Sequence, residues 1–537
     1  MIQARIIILI ATLIGTVLSC PSYDFAVVGV GTAGSLVATR LVQAGYSVIA
    51  LETGRDLHNY TNTVFPPPDY NAYSRLTRIE YSRYVSEVDA HTHYMHLPEE
   101  GEGGAQELNQ GVWLWPYAGD LDQWASNGAT GWDSSSMKYW QKAVENCPLC
   151  TDPDAGKSGP IHIDYFKQNA SQPLINEITN VFGVPFDDSL ETDEGVFIGG
   201  QSGYRYNNGI VARSSTWREL FQHELGNPLL RYESSSFVDK IIFVGSMNKA
   251  HKVLYIQNGI SKCARIQEKV VLTAGVFQNA AILQRSGVGD SQFLQNIGIN
   301  VVAHLPGVGK IENDGQAGTF VFAGITPELA NLQWQPIAAI WSTGLNGPDV
   351  LDAESAFLLF PSGAIIPGVP AAVSIPYVIG NIYNGSVSIT SKDPFSRLDI
   401  DIGLNLNDIF LENVAQQVRK IRSTYANLGT FAEVVPGYKI LPLNFTNDEL
   451  LAYLKAPDAN VVGSRARVNT HVSGSVRIGS LNDPYSCADA NGNIYGVKNV
   501  VLGGDMSIHP LLRIHPSEFV CASAEKQAAY LISSVSK

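Results

Sequence analysis

The strongest structural constraint in this sequence is a glycine triplet, Gly29-x-Gly31-x-x-Gly34, near its beginning. The triplet follows a short, continuous apolar run, which is typical of a buried parallel strand. Helix-forming residues occupy 35–44, and a second apolar run at 47–52 ends in an acidic residue. The pattern therefore predicts a β-α-β unit whose first turn contains the three glycines.

The spacing of the glycines predicts a site for the pyrophosphate of a dinucleotide. Gly29 permits a tight turn, Gly31 lets the backbone approach the phosphates, and Gly34 allows the helix to pack closely on the strand. Thr32 and Ala33 lie in the first helical turn, where unpaired N–H groups and the helix dipole attract anions.

Glu52, 18 residues beyond Gly34, stands at the end of the second strand. A carboxylate there can accept hydrogen bonds from both ribose hydroxyls and repels a 2′-phosphate. The glycine triplet and Glu52 together, called here the fingerprint, therefore favour binding of NAD or FAD over NADP. They do not distinguish NAD from FAD. The alternative to a dinucleotide-binding site is a glycine-rich turn without a ligand beside a glutamate at the protein surface.

Charge and the first residues narrow the class of protein further. The chain has 537 residues and a formal net charge of −14, which argues against a nucleic-acid partner because phosphate binding needs a cationic surface. Arg5 precedes an apolar stretch from Ile6 to Leu18 that is too short to span a membrane. We interpret residues 1–19 as a secretory signal cleaved after Ser19, so that the chain is secreted without stable membrane insertion. A membrane-anchoring N-terminus is the alternative.

Cysteine and histidine spacings predict no metal site. Cys147-Pro-Leu-Cys150 has no second close pair, so a local structural disulfide is favoured and a redox role stays open. His91-x-His93-x-x-His96 has metal-like spacing, but no further ligand completes the set. We interpret these histidines as part of a solvated loop.

Several segments between the fingerprint and the C-terminus resemble, in order, the motifs of the glucose–methanol–choline (GMC) oxidoreductase family, flavoproteins that mostly oxidise alcohols. The resemblance extends from Asp24 to the C-terminus. The segments that carry it are Gly103-Gly-Ala-Gln-Glu-Leu-Asn109-Gln-Gly111, Asp120-Leu-Asp-Gln-Trp124 with Gly131-Trp132, the run from Ala274 to Gly289, Leu305-Pro-Gly-Val-Gly309, His471-x-x-Gly474 and Asp505-Met-Ser507.

This resemblance implies an α/β (α+β) protein with FAD as its cofactor. A discontinuous, Rossmann-like FAD-binding domain is expected at 24–120, 190–315 and 465–537. A substrate-binding domain is expected at 121–189 and 316–464, built on a mostly antiparallel sheet with flanking helices.

The sequence also predicts individual elements outside the fingerprint. Helices are expected at 407–425 and at about 517–533, and a buried strand at 497–502. Residues 60–120 have little periodicity and are expected to form long loops.

The resemblance also implies cofactor contacts. Val238 corresponds to a position whose backbone contacts adenine in relatives. Ala105 and Gln106 replace the usual serines, and Leu108 replaces the histidine that links the flavin covalently in some members, so a covalent link by that route is not expected. The residues implied near the flavin are Gly104, Ala105, Asn109, Asp505, Met506, Pro516 and Ser517.

Two histidines are the implied catalytic residues. Alcohol oxidation needs a base for the hydroxyl proton, and histidine titrates in the required range. By analogy, His471 accepts the proton and His515 binds the substrate oxygen. Because the spacing from Asp505 is one residue shorter than usual, His509 is the alternative for the second role.

The sequence therefore predicts a secreted FAD-dependent enzyme that oxidises a small alcohol and passes electrons to oxygen or another acceptor. An FAD-containing hydroxynitrile lyase that uses the same histidines with a redox-silent flavin is the alternative enzyme, and His515-Pro516 is compatible with it. A flavin-binding but non-catalytic protein is disfavoured by the intact fingerprint and the histidine pair.

Overall fold

A computed structural model describes most of the chain. The expected leader, His91 and Leu108 lie outside the described residues. The described residues are 20–54, 64–65, 81–85, 92–96, 101–205, 211–455, 466–468 and 471–535, without 108, 110, 330, 332, 402, 404, 405, 511 and 514.

The first sheet, called here the cofactor sheet, contains the predicted β-α-β unit. Ser22–Val28 pairs in parallel with Val48–Leu51, with Phe25 opposite Val48. The intervening helix begins at Thr32 instead of Ser35, because the third fingerprint glycine itself lies in the first helical turn. The strands of this sheet, in spatial order, are Leu230–Glu233, Val48–Leu51, Ser22–Val28, Ile260–Leu272, Lys249–Gln257 and Ser236–Val244, and Val500–Leu502 also pairs with Ile260–Leu272.

The second sheet, called here the substrate sheet, is mostly antiparallel, as expected. Its parallel pairs join Phe186–Asp187 to Gly195–Ile198 and Leu398–Asp401 to Tyr81–Val85. The strands are Thr92–His96, Tyr81–Val85, Leu398–Asp401, Ala371–Ile389, Ala353–Phe360, Gln335–Trp341, Gly195–Ile198, Phe186–Asp187, Lys310–Ala317, Phe320–Gly324, Phe431–Val435 and Ala466–Val468.

The expectation of long loops throughout 60–120 was wrong for part of that segment. Tyr81–Val85 and Thr92–His96 form an antiparallel pair at the edge of the substrate sheet. Strands of five residues carry too little periodicity to be recognised alone, and pairing with Leu398–Asp401 provides the context that stabilises them. The boundaries proposed for the two domains stay a prediction.

Smaller elements connect the two sheets. A further sheet contains Val64–Phe65, Val211–Arg213, Gly200–Arg205, Ile161–Asp164, Glu145–Asn146 and Val112–Trp113, and Val288–Gly289 pairs with Ala303–His304. Short 3₁₀ turns are Gly104–Glu107, Asn169–Ser171, Phe221–Glu224 and Pro327–Leu329.

The helices agree with the expected positions near the C-terminus. The helix expected at 407–425 spans Asp408–Leu428, with Asn407 accepting a 2.9 Å hydrogen bond from the Phe410 N–H and Gly429 at φ +68° ending it. The helix expected at about 517–533 is Ser517–Ser533. The other described α-helices are Thr32–Gln43, Ala118–Ser126, Ser134–Val144, Gln172–Phe182, Thr216–Glu219, Gly275–Arg285, Ser291–Asn296 and Asn447–Lys455. Within the described ranges, no helix combines the length and apolar character needed to cross a membrane.

Two disulfides are present. Cys147 and Cys150 are bonded, which confirms the expected local link. Cys20 is bonded to Cys263, a pair that the sequence analysis did not identify. This second bond joins the residue after the expected cleavage point to the long strand Ile260–Leu272 of the cofactor sheet.

Candidate active site

The fingerprint turn has no room for side chains at its outer glycines. Gly29 has φ +93°, and an added Cβ would lie 2.5 Å from the Thr273 carbonyl oxygen. A Cβ at Gly34 would lie 1.9 Å from the Gly29 carbonyl oxygen. The turn therefore depends on glycine for both conformation and close packing.

The loop at 103–111, which is predicted to lie against the flavin and is called here the flavin loop, packs directly on this turn. A Cβ at Gly104 would lie 2.9 Å from the Gly31 Cα, and the Gly103 N–H donates to the Val30 carbonyl over 3.0 Å. No side chain caps the helix that begins at Thr32, which leaves its first-turn N–H groups directed at the same space. The backbone thus forms a cradle suited to a pyrophosphate, and the cofactor contacts of Thr32, Ala33 and their neighbours stay a prediction.

Glu52 lies at the expected end of its strand and is buried. Its carboxylate accepts 2.8 Å hydrogen bonds from the N–H groups of Val30 and Gly54. Burial raises the pKa of Glu52 from 4.5 to about 7, and the backbone hydrogen bonds oppose that shift. The group is therefore positioned beside the glycine turn, where a dinucleotide presents its ribose hydroxyls.

Asn109 connects the flavin loop to the C-terminal helix. Its amide donates to Ser517 Oγ over 2.7 Å, and its side-chain oxygen accepts from the Gly111 N–H over 2.9 Å. Arg213, which the sequence analysis missed, donates to the Gln106 carbonyl over 2.7 Å and also binds the Asn109 carbonyl. With Ala105 and Gln106 in place of serines, the buried arginine fixes the loop.

Asp505 connects the C-terminal segment to the helix Gly275–Arg285. Its carboxylate accepts from the Gly275 N–H over 2.9 Å and from the Asn279 amide over 2.8 Å. Burial raises the pKa of Asp505 above its ordinary value. The carbonyl of the next residue, Met506, accepts from the Gly474 N–H over 3.1 Å, so the His471-x-x-Gly474 motif is held against this segment.

Val238 lies buried near the start of the strand Ser236–Val244. Its carbonyl and that of Asp239 accept hydrogen bonds of 3.2 and 2.8 Å from Arg285. The backbone of this strand is therefore fixed from the helix Gly275–Arg285. Pro516 and Ser517 are half-buried at the start of the C-terminal helix, where Ser517 meets Asn109.

The structure brings the two predicted catalytic histidines together. The ring centroids of His471 and His515 are 4.9 Å apart and the rings are nearly perpendicular, at 88°. His471 is 8% exposed. The side chain of His515 is 19% exposed, so it is the more accessible of the two.

His515 contacts the substrate sheet through two residues. Its Nε2 lies 2.9 Å from Oε1 of Glu354, and its ring centroid lies 5.8 Å from that of Tyr377. Glu354 and Tyr377 are buried on the adjacent strands Ala353–Phe360 and Ala371–Ile389. The histidine pair therefore lies where the C-terminal segment meets the substrate sheet.

Glu354 was missed by the sequence analysis, although a signal for it exists. It is the one charged residue in Ala353-Glu-Ser-Ala-Phe-Leu-Leu-Phe360, a run in which every residue is buried. Buried acids are rare unless they are paired or functional. An acidic residue within a mostly apolar run can therefore be recognised from the sequence alone as a candidate functional residue.

His509, the alternative second histidine, has a different environment. It is fully buried, its Nδ1 lies 2.6 Å from the Pro510 carbonyl oxygen, and its ring packs on Trp124 and Phe519. Burial lowers the pKa of His509 to about 4, so it is neutral near pH 7. These contacts are those of a core histidine.

The structure supplies no evidence for a metal centre in the parts it describes. No three residues of the types His, Cys, Asp or Glu are arranged there to bind a metal ion. The side chains of His93 and His96 are not among the described ones.

Comparison with known proteins decides the family. Sequence models described as GMC oxidoreductase match residues 24–306 and 383–522. These two matches cover most of the chain and include the fingerprint, the flavin loop and both histidines. The chain belongs to the GMC oxidoreductase family. This confirms the family resemblance and the α/β (α+β) fold with its Rossmann-like cofactor layer.

Individual relatives of this GMC oxidoreductase are distant but aligned over nearly its full length. The mitochondrial choline dehydrogenase of Mus musculus is 25% identical over 91% of this chain and 85% of its own. A 5-(hydroxymethyl)furfural oxidase of a Methylovorus species is 27% identical over 91% of this chain and 94% of its own. The crystal structure of pyridoxine 4-oxidase from Mesorbium loti superposes with a TM-score of 0.77 at 20% identity, covering 94% of this chain and 98% of the other.

FAD is therefore the cofactor of this enzyme, and the cradle described above fits it. The glycine turn, the uncapped helix start and Glu52 suit the pyrophosphate and ribose. The flavin loop and the start of the C-terminal helix converge next to them through Asn109 and Ser517. The roles assigned to individual residues stay predictions.

Proposed function

We propose that this GMC oxidoreductase oxidises a small alcohol, with His471 removing the hydroxyl proton and His515 holding the hydroxyl oxygen. The observation that carries the proposal is the 4.9 Å contact between the two imidazole rings. One ring belongs to a motif tied to Met506 and the other reaches the substrate sheet through Glu354. In this proposal the alcohol hydroxyl lies beside both rings, while Nε2 of His515 stays bound to Glu354.

The different roles of His471 and His515 follow from the surroundings of their rings. His515 is oriented by the Glu354 carboxylate, which fixes one ring nitrogen and leaves the rest of the ring to contact the substrate oxygen. His471 accepts the hydroxyl proton, a role that suits imidazole near neutral pH. Bound FAD supplies the acceptor for the hydride that leaves the same carbon. Oxygen or another acceptor would be the second substrate of such an enzyme.

Anaerobic mixing with a panel of alcohols tests the proposal. We expect the correct alcohol to bleach the flavin absorbance, and His471→Ala to slow that bleaching at least about a hundredfold, because general base catalysis contributes roughly that much or more. His251→Gln, a change at a half-exposed histidine far along the cofactor sheet, is the matched control and keeps the wild-type rate.

Two outcomes would contradict the proposal. Unchanged turnover in His471→Ala would remove the assignment of the base. Cyanide release from a cyanohydrin with the flavin oxidised throughout would instead assign the hydroxynitrile lyase reaction to the same histidines.

We also propose that the enzyme is exported. Residues 1–19 have the pattern of a secretory signal, and the Cys20–Cys263 and Cys147–Cys150 disulfides suit an oxidising compartment. N-terminal sequencing of protein collected from the medium is expected to begin at Cys20. Recovery of an uncleaved chain inside the cell would contradict export.

A further inference from the structure

A cavity of about 240 Å³ opens beside the end of the second parallel strand. Two of its lining residues directly follow Glu52 in the chain. Two others are phenylalanines, one from the cofactor sheet and one from the substrate sheet. The residues that line it are Thr53, Gly54, Ser235, Phe237, Ile256, Asn258, Gly259 and Phe395.

Backbone hydrogen bonds fix this cavity next to Glu52. The Ser236 N–H donates to the Glu52 carbonyl over 2.7 Å, and the Ser235 N–H donates to the Gly54 carbonyl over 2.8 Å. Because Glu52 is placed to bind the ribose hydroxyls, the base carried by that ribose must lie within a few ångströms of the same carboxylate. The cavity is the adjoining space with apolar walls.

Phe237 forms the fixed inner wall of the cavity. It is 5% exposed, and the guanidinium carbon of Arg285 lies 5.5 Å from its ring centroid. Arg285 is itself held by the carbonyls of Val238 and Asp239. The phenyl ring is therefore immobilised by contacts that do not involve a ligand.

Phe395 lines the cavity beside Phe237, with the two rings in contact, and comes from the substrate sheet. It lies on the connection between Ala371–Ile389 and Leu398–Asp401, and its ring centroid is 5.1 Å from that of Phe237. The connection is ordered by hydrogen bonds from the Phe395 N–H to Asp393 over 3.0 Å and from Thr390 to the Arg397 carbonyl over 2.7 Å. Phe395 is nevertheless 44% exposed at this cavity.

We propose that Phe395 closes the adenine site of FAD, so that the substrate sheet takes part in retaining the cofactor. A flat, apolar heterocycle in the cavity covers the exposed face of Phe395 and gains the stacking energy typical of bases on aromatic side chains. The inference concerns cofactor retention and does not depend on the alcohol chemistry proposed for the histidines.

Release of FAD from the purified holoenzyme tests the inference. Free flavin fluorescence after dilution is expected to rise roughly ten times faster for Phe395→Ala than for the wild-type enzyme, because base–aromatic stacking is worth about 1–3 kcal/mol. Phe395→Trp, which keeps a larger stacking surface, is expected to release FAD no faster than the wild type. Leu443→Ala removes an apolar side chain of 62% exposure elsewhere on the molecule and serves as the matched control, with unchanged release.

A second measurement separates an adenine contact from a general loss of structure. FMN lacks the adenylate, so its affinity for cofactor-stripped protein is expected to be equal in the wild type and in Phe395→Ala, whereas FAD affinity falls. Equal weakening of FMN and FAD, or FAD release at the wild-type rate, would overturn the inference.

Discussion

Glu354 holds one of the two site histidines from the opposite layer of the molecule. Its Oε1 lies 2.9 Å from His515 Nε2, and only 3% of the residue is exposed. A buried carboxylate that binds one ring nitrogen restricts the imidazole to one orientation. We therefore assign Glu354 a positioning role.

Replacement of Glu354 is expected to affect the rate of oxidation more than substrate binding. Glu354→Gln keeps the shape of the side chain but removes its charge, and we expect kcat to fall between about tenfold and a hundredfold, the usual cost of misplacing a reacting group. Flavin content is expected to stay at the wild-type level, and KM to change little. Glu328→Gln, at an exposed surface carboxylate, is the control. A raised KM with an unchanged kcat would contradict a positioning role.

Glu52 makes the stability of the cofactor-free protein depend on pH. Its pKa is about 7 in the folded protein and 4.5 as the ordinary value, so the folded state binds the proton more tightly than the unfolded state. The resulting stabilisation is fully present below pH 4.5 and is lost as the pH rises towards 7. The difference is about 3 kcal/mol, since each pKa unit corresponds to about 1.4 kcal/mol.

Urea unfolding of stripped wild-type protein and Glu52→Gln across this pH range measures that contribution. The variant is expected to lose less stability than the wild type between pH 4.5 and 7. Parallel stability curves for the two proteins would contradict the shifted titration of Glu52.

At the scale of elements, the junction between the first strand and its helix is the least tolerant part of the fold. We expect Gly34→Ala to abolish FAD retention and to lower the soluble yield, because its Cβ would lie 1.9 Å from the Gly29 carbonyl oxygen. Gly183→Ala is the matched control: Gly183 also has a positive φ, +75°, but nothing lies within 4 Å of an added Cβ. That variant should lose only about 1–2 kcal/mol of stability and keep its flavin. Normal flavin content in Gly34→Ala would contradict the packing argument.

Elements encoded by local sequence patterns could be predicted, whereas those that depend on distant partners could not. The β-α-β unit was recognisable because glycine spacing and apolar runs are local properties of the chain. Tyr81–Val85 was not, because one of its two neighbouring strands lies more than three hundred positions away. Glu354 and Arg213 were missed for a similar reason: their partners are distant in sequence, so neither belongs to a motif.

At the scale of the whole molecule, the Cys20–Cys263 disulfide restricts the unfolded chain most. It closes a loop with a sequence separation of 243, compared with 3 for Cys147–Cys150. We expect Cys20→Ser with Cys263→Ser to lower the free energy of unfolding by roughly 5–6 kcal/mol, and Cys147→Ser with Cys150→Ser by only about 2 kcal/mol. Denaturant unfolding of both double variants compares the two losses. A larger loss from the short loop would contradict this order.

The hydrogen bond between Asn109 and Ser517 also has a consequence for the timing of biosynthesis. These residues are 408 positions apart, so a ribosome working at 5–20 residues per second needs roughly 20 to 80 s to make the second partner after the first. During that interval the residues of the glycine turn have been made, but the flavin loop lacks its anchor on the C-terminal helix. The nascent chain therefore cannot fix its flavin loop on the C-terminal helix until translation has passed residue 517.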